Sequence, residues 1–326
     1  DLFFFSNLFS LSFFCQAGAA LMNILAIHRT LQLVVRHGVQ LELGMNAVER
    51  IESYTTQIPQ EEAHPPLDGP SVEQQVAQSN WPTHGSIVFD QFQLSYRPGL
   101  PNVLQNLTVS IQGGEKIGIC GRTGSGKSTL ALALFRMIES SSGTLLIDGL
   151  NVRHMNLQTL RSRISIVPQV PTLFEGTLRY NIDPYQKKDD AFIWACLQKT
   201  QLKQVATDLG DGLNALVEEG GTNWSVGQRQ LICLARALCS GSQILILDEC
   251  SASVDTETDV LLQEMIRQEF KHSTVLTIAH RLDTIMHCDQ ILVMEQGRCA
   301  EYDPPQVLLG NEESLFYQMF KNAKAE

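Results

Sequence analysis

The sequence predicts an α/β protein: a parallel sheet core with an inserted helical subdomain, preceded by a transmembrane helix segment. Three observations carry this. From His84 onward, short aliphatic runs alternate with helical stretches. Between about Glu175 and Leu238 strand-like runs nearly vanish. No charged residue occurs from Leu2 to Ile27. Alternating strand and helix implies a sheet covered on both faces.

The uncharged run comes first in the chain. As a helix, its 26 positions would span about 39 Å at roughly 1.5 Å per residue, enough for a bilayer. Ser6, Asn7, Ser10, Ser12, Gln16 and Asn23 interrupt it. Three readings compete: one membrane span, a signal peptide cleaved near Ala17-Gly18-Ala19, or two helices that part between Gln16 and Ala17. No basic segment precedes the run, as a signal peptide would require. His28 and Arg29 mark the membrane edge. The first residue is Asp, consistent with a fragment.

From Leu31 to Tyr54 apolar residues recur at Val34, Leu41, Met45, Val48 and Ile51, with Gly38 in register. That is helical spacing. It fits a helix leaving a membrane, and equally an amphipathic surface helix. "QIPQEEAHPPLDGP" then reads as an exposed linker, ended by Trp81-Pro82. The expected division is residues 1–58, membrane helix and extension; 59–83, linker; 84–326, the α/β domain.

Within that domain, "SIVFDQFQLSY" alternates like a half-buried strand. "KIGIC", "TLLIDG", "ISIVPQ", "QILILDE" and "STVLTIAH" are short and aliphatic, as strands buried in a parallel sheet should be. Helices are expected over Lys127–Ile138, Asp189–Leu209, Gly227–Leu238 and Asp255–Phe270. A net charge of −11 argues against a general nucleic-acid binder, which needs a basic face. The eight cysteines show no CxxC pairing. They read as small buried hydrophobes in a reducing compartment, with neither disulfide nor zinc site.

"GRTGSGKST", Gly121 to Thr129, follows the strand "KIGIC" and leads into a helix. This is the phosphate-loop pattern G-x-x-x-x-G-K-[ST] in its required context. Its glycines let Gly121, Arg122, Thr123, Gly124, Ser125 and Gly126 curl so that backbone N–H groups face phosphate oxygens. The helix N-terminus adds partial positive charge. Lys127 would reach the β- and γ-phosphates, and the Ser128 hydroxyl would ligate Mg²⁺. The fold class is therefore a P-loop NTPase. "ILILDE" supplies the other half: Asp248 to hold Mg²⁺, and Glu249 near the γ-phosphate to polarise a water. An apolar strand ending in Asp-Glu is common by itself; the upstream loop gives it meaning.

"TNWSVGQRQLICLARAL", Thr222 to Leu238, resembles the signature segment of ATP-binding-cassette (ABC) ATPases. The resemblance covers about Gly85 to Glu326. It implies that Tyr96 stacks on adenine, although alone it could be a sheet aromatic. It implies that Gln169 lies near Mg²⁺ and that His280 contacts the γ-phosphate. Ser251–Asp255 would form the loop after the catalytic glutamate. Ser225, Gly227 and Gln228 would face a nucleotide held by a second nucleotide-binding domain. The segments "GEKIGICGRTGSGKSTL", "LRSRISIVPQ", "GQRQLICLARAL" and "TVLTIAHRLDTI" narrow it to subfamily C, the multidrug-resistance-associated group, and there to the second, C-terminal domain. Glu249, where many first domains carry aspartate, fits that choice. "LVVRHGVQLELGMNAVERIESY" resembles that family's last membrane helix and its cytosolic extension.

Two departures stand out. Trp224 replaces the leucine that usually opens the signature, and residues 1–16 do not align readily with a family helix. Arg229 and Arg236 are expected on the helix surface, in salt links.

The reading implied is the ATPase half of an exporter of organic anions, conjugates or drugs. Its cofactors are ATP and Mg²⁺. Its nucleotide domain is cytosolic, on the plasma membrane or a vacuolar or lysosomal membrane. The rivals are a nucleotide-sensing regulator of a channel, a soluble ABC ATPase of assembly or repair, and a truncated inactive product.

Overall fold

The structure is a computed structural model. It describes residues 2–58, 76, 81–249, 256–279 and 281–324, with backbone alone for 2–15, 256 and 257. His280, the loop Ser251–Asp255 and most of the expected linker lie outside the described residues. The chain divides into two compact units, Asp1–Ala63 and His64–Glu326.

The first unit is one helix, α1 (Leu2–Gln57), of 56 residues. The reading of two helices parting at Gln16 and Ala17 is thus corrected. Gln16, Ala17, Ala19 and Ala20 are good helix formers, and one glycine among them costs only about 1 kcal/mol. At roughly 1.5 Å per residue α1 is about 84 Å long, well beyond a bilayer core of about 30 Å. Residues 16–57 contain a stretch long and apolar enough to cross a membrane. Its large apolar side chains, Leu21 through Tyr54, are exposed.

In the second unit, β1 (Ile87–Leu94), β2 (Leu104–Ile111), β4 (Ser142–Ile147) and β5 (Leu150–Asn151) form an antiparallel sheet in the order β2-β1-β4-β5. The alternation in β1 slips once. Gln91 takes a positive φ of 46°, and the register shifts between Phe89 and Phe92. Both phenylalanines therefore face the core, where their rings meet edge to face at 5.4 Å.

The second sheet contains β3 (Lys116–Cys120), β6 (Ile164–Val167), β9 (Ile244–Asp248), β10 (Thr274–Ile278), β11 (Gln290–Glu295) and β12 (Arg298–Asp303), in the order β12-β11-β3-β10-β9-β6. All neighbours are parallel except the β11–β12 edge. Successive side chains of a strand leave on opposite faces. In β9, Ile244 and Ile246 enter the core shared with the antiparallel sheet, while Leu245 and Leu247 enter the core of the helical subdomain. Burial on both faces explains the uninterrupted aliphatic run.

The helices are α2 (Lys127–Leu134), α3 (Leu157–Arg161), α4 (Leu178–Ile182), α5 (Asp190–Lys199), α6 (Lys203–Asp208), α7 (Val226–Ser240), α8 (Thr256–Glu269), α9 (Pro305–Gly310) and α10 (Leu315–Ala323). Residues 176–240 form the expected helical subdomain, built from α4 to α7. It also holds a short strand pair, β7 (Gly176–Thr177) with β8 (Leu216–Val217).

Three expected helices have different limits. The one from Lys127 stops at Leu134, because Arg136 turns to φ 47° and its guanidinium is buried on the carbonyls of Val152 and Met155. The one from Asp189 breaks at Gln201, φ 55°, into α5 and α6. The one from Gly227, α7, starts at Val226 and runs to Ser240, where Gly241 closes it at φ 65°.

The described cysteines at 120, 196, 233, 239, 288 and 299 are free, and the first four are buried. Burial pushes the thiols of Cys120 and Cys288 up to about 12, which leaves them unreactive.

The start of the α/β domain is clamped by a residue with no motif around it. The Asp148 carboxylate accepts hydrogen bonds from the backbone N–H groups of Thr83, His84, Gly85 and Ser86, and from the Ser86 hydroxyl, at 2.7–3.2 Å. Beside it the buried Trp81 indole donates to the Ile147 carbonyl at 3.0 Å. Burial alone would raise the Asp148 pKa, but the N–H groups of His84, Ser86 and Gly85 outweigh it and hold the carboxyl below its ordinary 3.8. Asp148→Asn is expected to lower unfolding stability by about 1–2 kcal/mol. A carboxyl with a depressed folded pKa stabilises above its unfolded pKa, and that contribution is lost as pH falls through the folded value. Urea melts of both proteins at pH 7 and pH 3 check this: the gap should be wide at pH 7 and narrow on acidification.

Candidate functional site

The parallel order β3-β10-β9-β6 brings four chain turns side by side at the C-terminal ends of the strands. Ligands collect at this edge of α/β sheets. β3 delivers the loop 121–126, β10 leads to His280, β9 ends on Asp248 and Glu249, and β6 leads to Gln169.

The loop is shaped by its glycines. Gly121 has φ 147°, and a Cβ there would meet the Met294 carbonyl at 2.2 Å. Gly126 has φ 102°, and its Cβ would press on Leu104 at 2.9 Å. Only glycine allows that backbone path. Gly124, φ 81°, instead faces open space. Arg122, Thr123 and Ser128 are exposed, whereas Ser125, Lys127 and Thr129 are buried. The Lys127 ammonium folds back on its own loop, donating to the carbonyls of Gly121 at 2.8 Å and Arg122 at 3.2 Å.

Several groups are suited to a polyanion. The Ser125 hydroxyl is buried without a hydrogen-bond partner. Helix α2 has Gly126 at its N-cap and no side-chain cap on its first N–H groups, which suits them to anions. The exposed Ser128 hydroxyl and the half-buried Asp248 carboxylate are hard oxygen donors of the kind Mg²⁺ takes. This donor set fits a nucleotide phosphate chain with its cation.

Glu249 sits just beyond β9 at φ 48°. Its N–H is held by the Ile278 carbonyl of β10 at 3.0 Å, which fixes the unusual backbone. Its carboxylate accepts from the Gln169 side-chain amide at 2.5 Å. Gln169 and Glu249 are 80 residues apart in sequence, so the sheet alone brings them together. Tyr96, half-exposed in the β1–β2 loop, places its hydroxyl 3.0 Å from that of Thr129.

The segment around Ser225 is organised separately. Ser225 caps α7, taking the Gln228 N–H, and the Gln228 side chain takes the Ser225 N–H in return. This reciprocal capping box fixes the helix start with Gly227 in its first turn. Among the described residues, the side-chain hydrogen bonds of Ser225 and Gln228 are to each other and do not reach 121–129. Arg229 and Arg236 bond backbone carbonyls, of Gly220 and of Asn181, rather than the expected carboxylates. Arg236 ties α7 to the buried Asn181, and Arg229 ties it to the exposed turn at Gly220.

The ABC transporter family profile matches residues 104–252. ATP-binding cassette sub-family C member 2 of Rattus norvegicus is 46% identical over 309 residues, covering 95% of this chain and 20% of that protein. The chain carries an ABC transporter domain of subfamily C. Metal resistance protein YCF1 of Saccharomyces cerevisiae is also 46% identical over 309 residues, covering 94% of this chain and 20% of that protein. The chain thus spans about a fifth of the length of the curated relatives it matches. Among solved structures, a bacterial Atm1-family ABC exporter with ATP bound superposes at a TM-score of 0.70 with 33% identity, over 75% of this chain and 43% of that one. That exporter was solved with ATP bound.

The segment that resembles the signature accommodates Trp224 by burying it. The ring is 4% exposed and packs into the subdomain core with Leu173, Val217 and Leu231. It therefore anchors the segment in the core, while Ser225 is exposed and Gly227 half-buried.

Two relations were not legible in the motifs: the Gln169–Glu249 bond and the Tyr96–Thr129 bond. Each joins residues singled out separately, with no local pattern linking them.

Proposed function

We propose that this chain is the second, C-terminal nucleotide-binding domain of a subfamily C exporter, joined to the last membrane helix of its transport domain. Residues 1–58 would be that helix and its extension, 59–83 the linker and 84–326 the ATPase domain. What supports the reading most is the strand-end edge, where the 121–129 loop shares one sheet with Asp248, Glu249 and Gln169.

In this reading the loop from Gly121 to Thr129 holds the phosphates, Lys127 pairs with the β- and γ-phosphates, and Tyr96 stacks on adenine. Ser128, Asp248 and Gln169 would hold Mg²⁺, which supplies charge neutralisation at the phosphates. Glu249 orients and polarises the attacking water, and His280 contacts the γ-phosphate. Ser225, Gly227 and Gln228 serve the nucleotide of a second domain. Closure of two domains on two nucleotides drives the membrane helices, and hydrolysis releases it. The transported molecule is an organic anion, conjugate or drug, and the membrane is the plasma membrane or a vacuolar or lysosomal one.

Self-association tests the shared site. The purified chain should bind Mg-ATP yet hydrolyse it slowly, with specific activity rising as protein concentration rises. Full activity in dilute, strictly monomeric protein would contradict the model. Lys127→Ala should weaken ATP binding by about tenfold or more, since the phosphates lose their nearest cation. Equal affinity in a nucleotide titration would remove the loop from the site.

A further inference from the structure

We propose that the Tyr96 hydroxyl is a positioning group for the nucleotide base: it tethers the aromatic ring to Thr129, at the start of the phosphate loop's helix, so that base and phosphate subsites are held as one unit. This rests on the nucleotide reading above and goes beyond it. Stacking needs only a ring, and a phenylalanine would supply one.

The geometry gives the hydroxyl separate work. Tyr96 lies two residues past β1, on the antiparallel sheet, while Thr129 belongs to the helix that follows the parallel strand β3. Their hydroxyl oxygens are 3.0 Å apart, across 33 residues of sequence. The Tyr96 side is restrained by its own short loop. Val103 N–H donates back to the Leu94 carbonyl at 2.8 Å, and Leu100 N–H to the Arg97 carbonyl at 3.2 Å. The ring itself is 49% exposed, so core packing does not hold it.

The Thr129 side is also prepared. A helical threonine can turn its hydroxyl onto the carbonyl four residues back. Here that carbonyl is Ser125's, which already accepts the Gly297 N–H at 3.0 Å. The Thr129 hydroxyl, buried at 5% exposure, turns instead to the phenol. The ring is thereby fixed before a ligand arrives, and the entropy of ordering it is not charged to binding.

Calorimetric titration of the full 326-residue chain in detergent, with ATP, ADP and inorganic tripolyphosphate as probes, tests the tether. Tyr96→Phe should weaken ATP and ADP about fivefold, equivalent to about 1 kcal/mol, and leave tripolyphosphate unchanged. In a Thr129→Val background the same change should cost nothing further, because the partner is already gone. Thr129→Ser, which keeps the hydroxyl, should retain the sensitivity to Tyr96→Phe. Wild-type affinity in Tyr96→Phe, additive losses, or an equal loss for tripolyphosphate would each overturn the tether while ATP binding by the wild-type chain stands. No ATP binding by the wild-type chain would overturn the nucleotide reading, and the tether with it.

Discussion

Glu249→Gln is expected to keep Mg-ATP binding and to lower turnover in the assembled transporter by roughly 10²-fold or more. Glu249 directly follows Asp248, the carboxylate assigned to Mg²⁺. Glutamine is nearly the same size and still offers an oxygen to the Gln169 amide, which lies 2.5 Å from the carboxylate. The φ of 48° at this position is held by the N–H bond to Ile278, and both residues have that N–H. Fold and binding should therefore survive, and only the charge proposed to polarise water is lost. Single-turnover hydrolysis and equilibrium ATP binding, measured on one preparation, separate the two effects. Unchanged hydrolysis would take Glu249 out of the mechanism; lost binding would mean that it serves the ground state.

What was legible in the sequence follows from where the chemistry is local. A phosphate loop must place glycines, a lysine and a hydroxyl in one continuous turn, so Gly121 to Thr129 announced itself. The two acids fall at the end of β9, Asp248 on its last residue and Glu249 just beyond, because a doubly buried strand has no other place for charge. The Gln169–Glu249 and Tyr96–Thr129 contacts had no such signature, since strand order rather than spacing creates them. Asp148 was hidden for the same reason: its partners lie more than 60 residues upstream. Helix ends were misjudged where a single non-glycine residue turns left-handed. Arg136 and Gln201 do so, and at Arg136 the tertiary bonds of the guanidinium outweigh local propensity. The continuity of α1 was open in the sequence because polar residues inside an apolar run suggest a break, yet each is compatible with a helix.

Gly227→Asp is expected to abolish stimulated hydrolysis in the assembled transporter while ATP remains bound at this chain's own loop. Gly227 is the second residue of α7, behind the Ser225 cap. An acid in the first turn of a helix is favoured by the helix dipole, by about 0.3–1 kcal/mol. The variant should therefore fold, and the capping box between Ser225 and Gln228 should persist. The same N-terminus is proposed to face the γ-phosphate of a nucleotide held by the partner domain. There the new carboxylate meets like charge in a site from which water is being expelled, where Coulomb repulsion is strongest. Closure should fail, and hydrolysis with it. Lys127 is proposed to hold the other nucleotide, so photolabelling of this domain by an azido-ATP should stay at its wild-type level. Measuring labelling and hydrolysis together decides the geometry. Lost hydrolysis with retained labelling is the result expected of a signature that acts across domains. If both vanish while the thermal midpoint is unchanged, the signature acts on its own chain's nucleotide, and the shared-site arrangement is wrong.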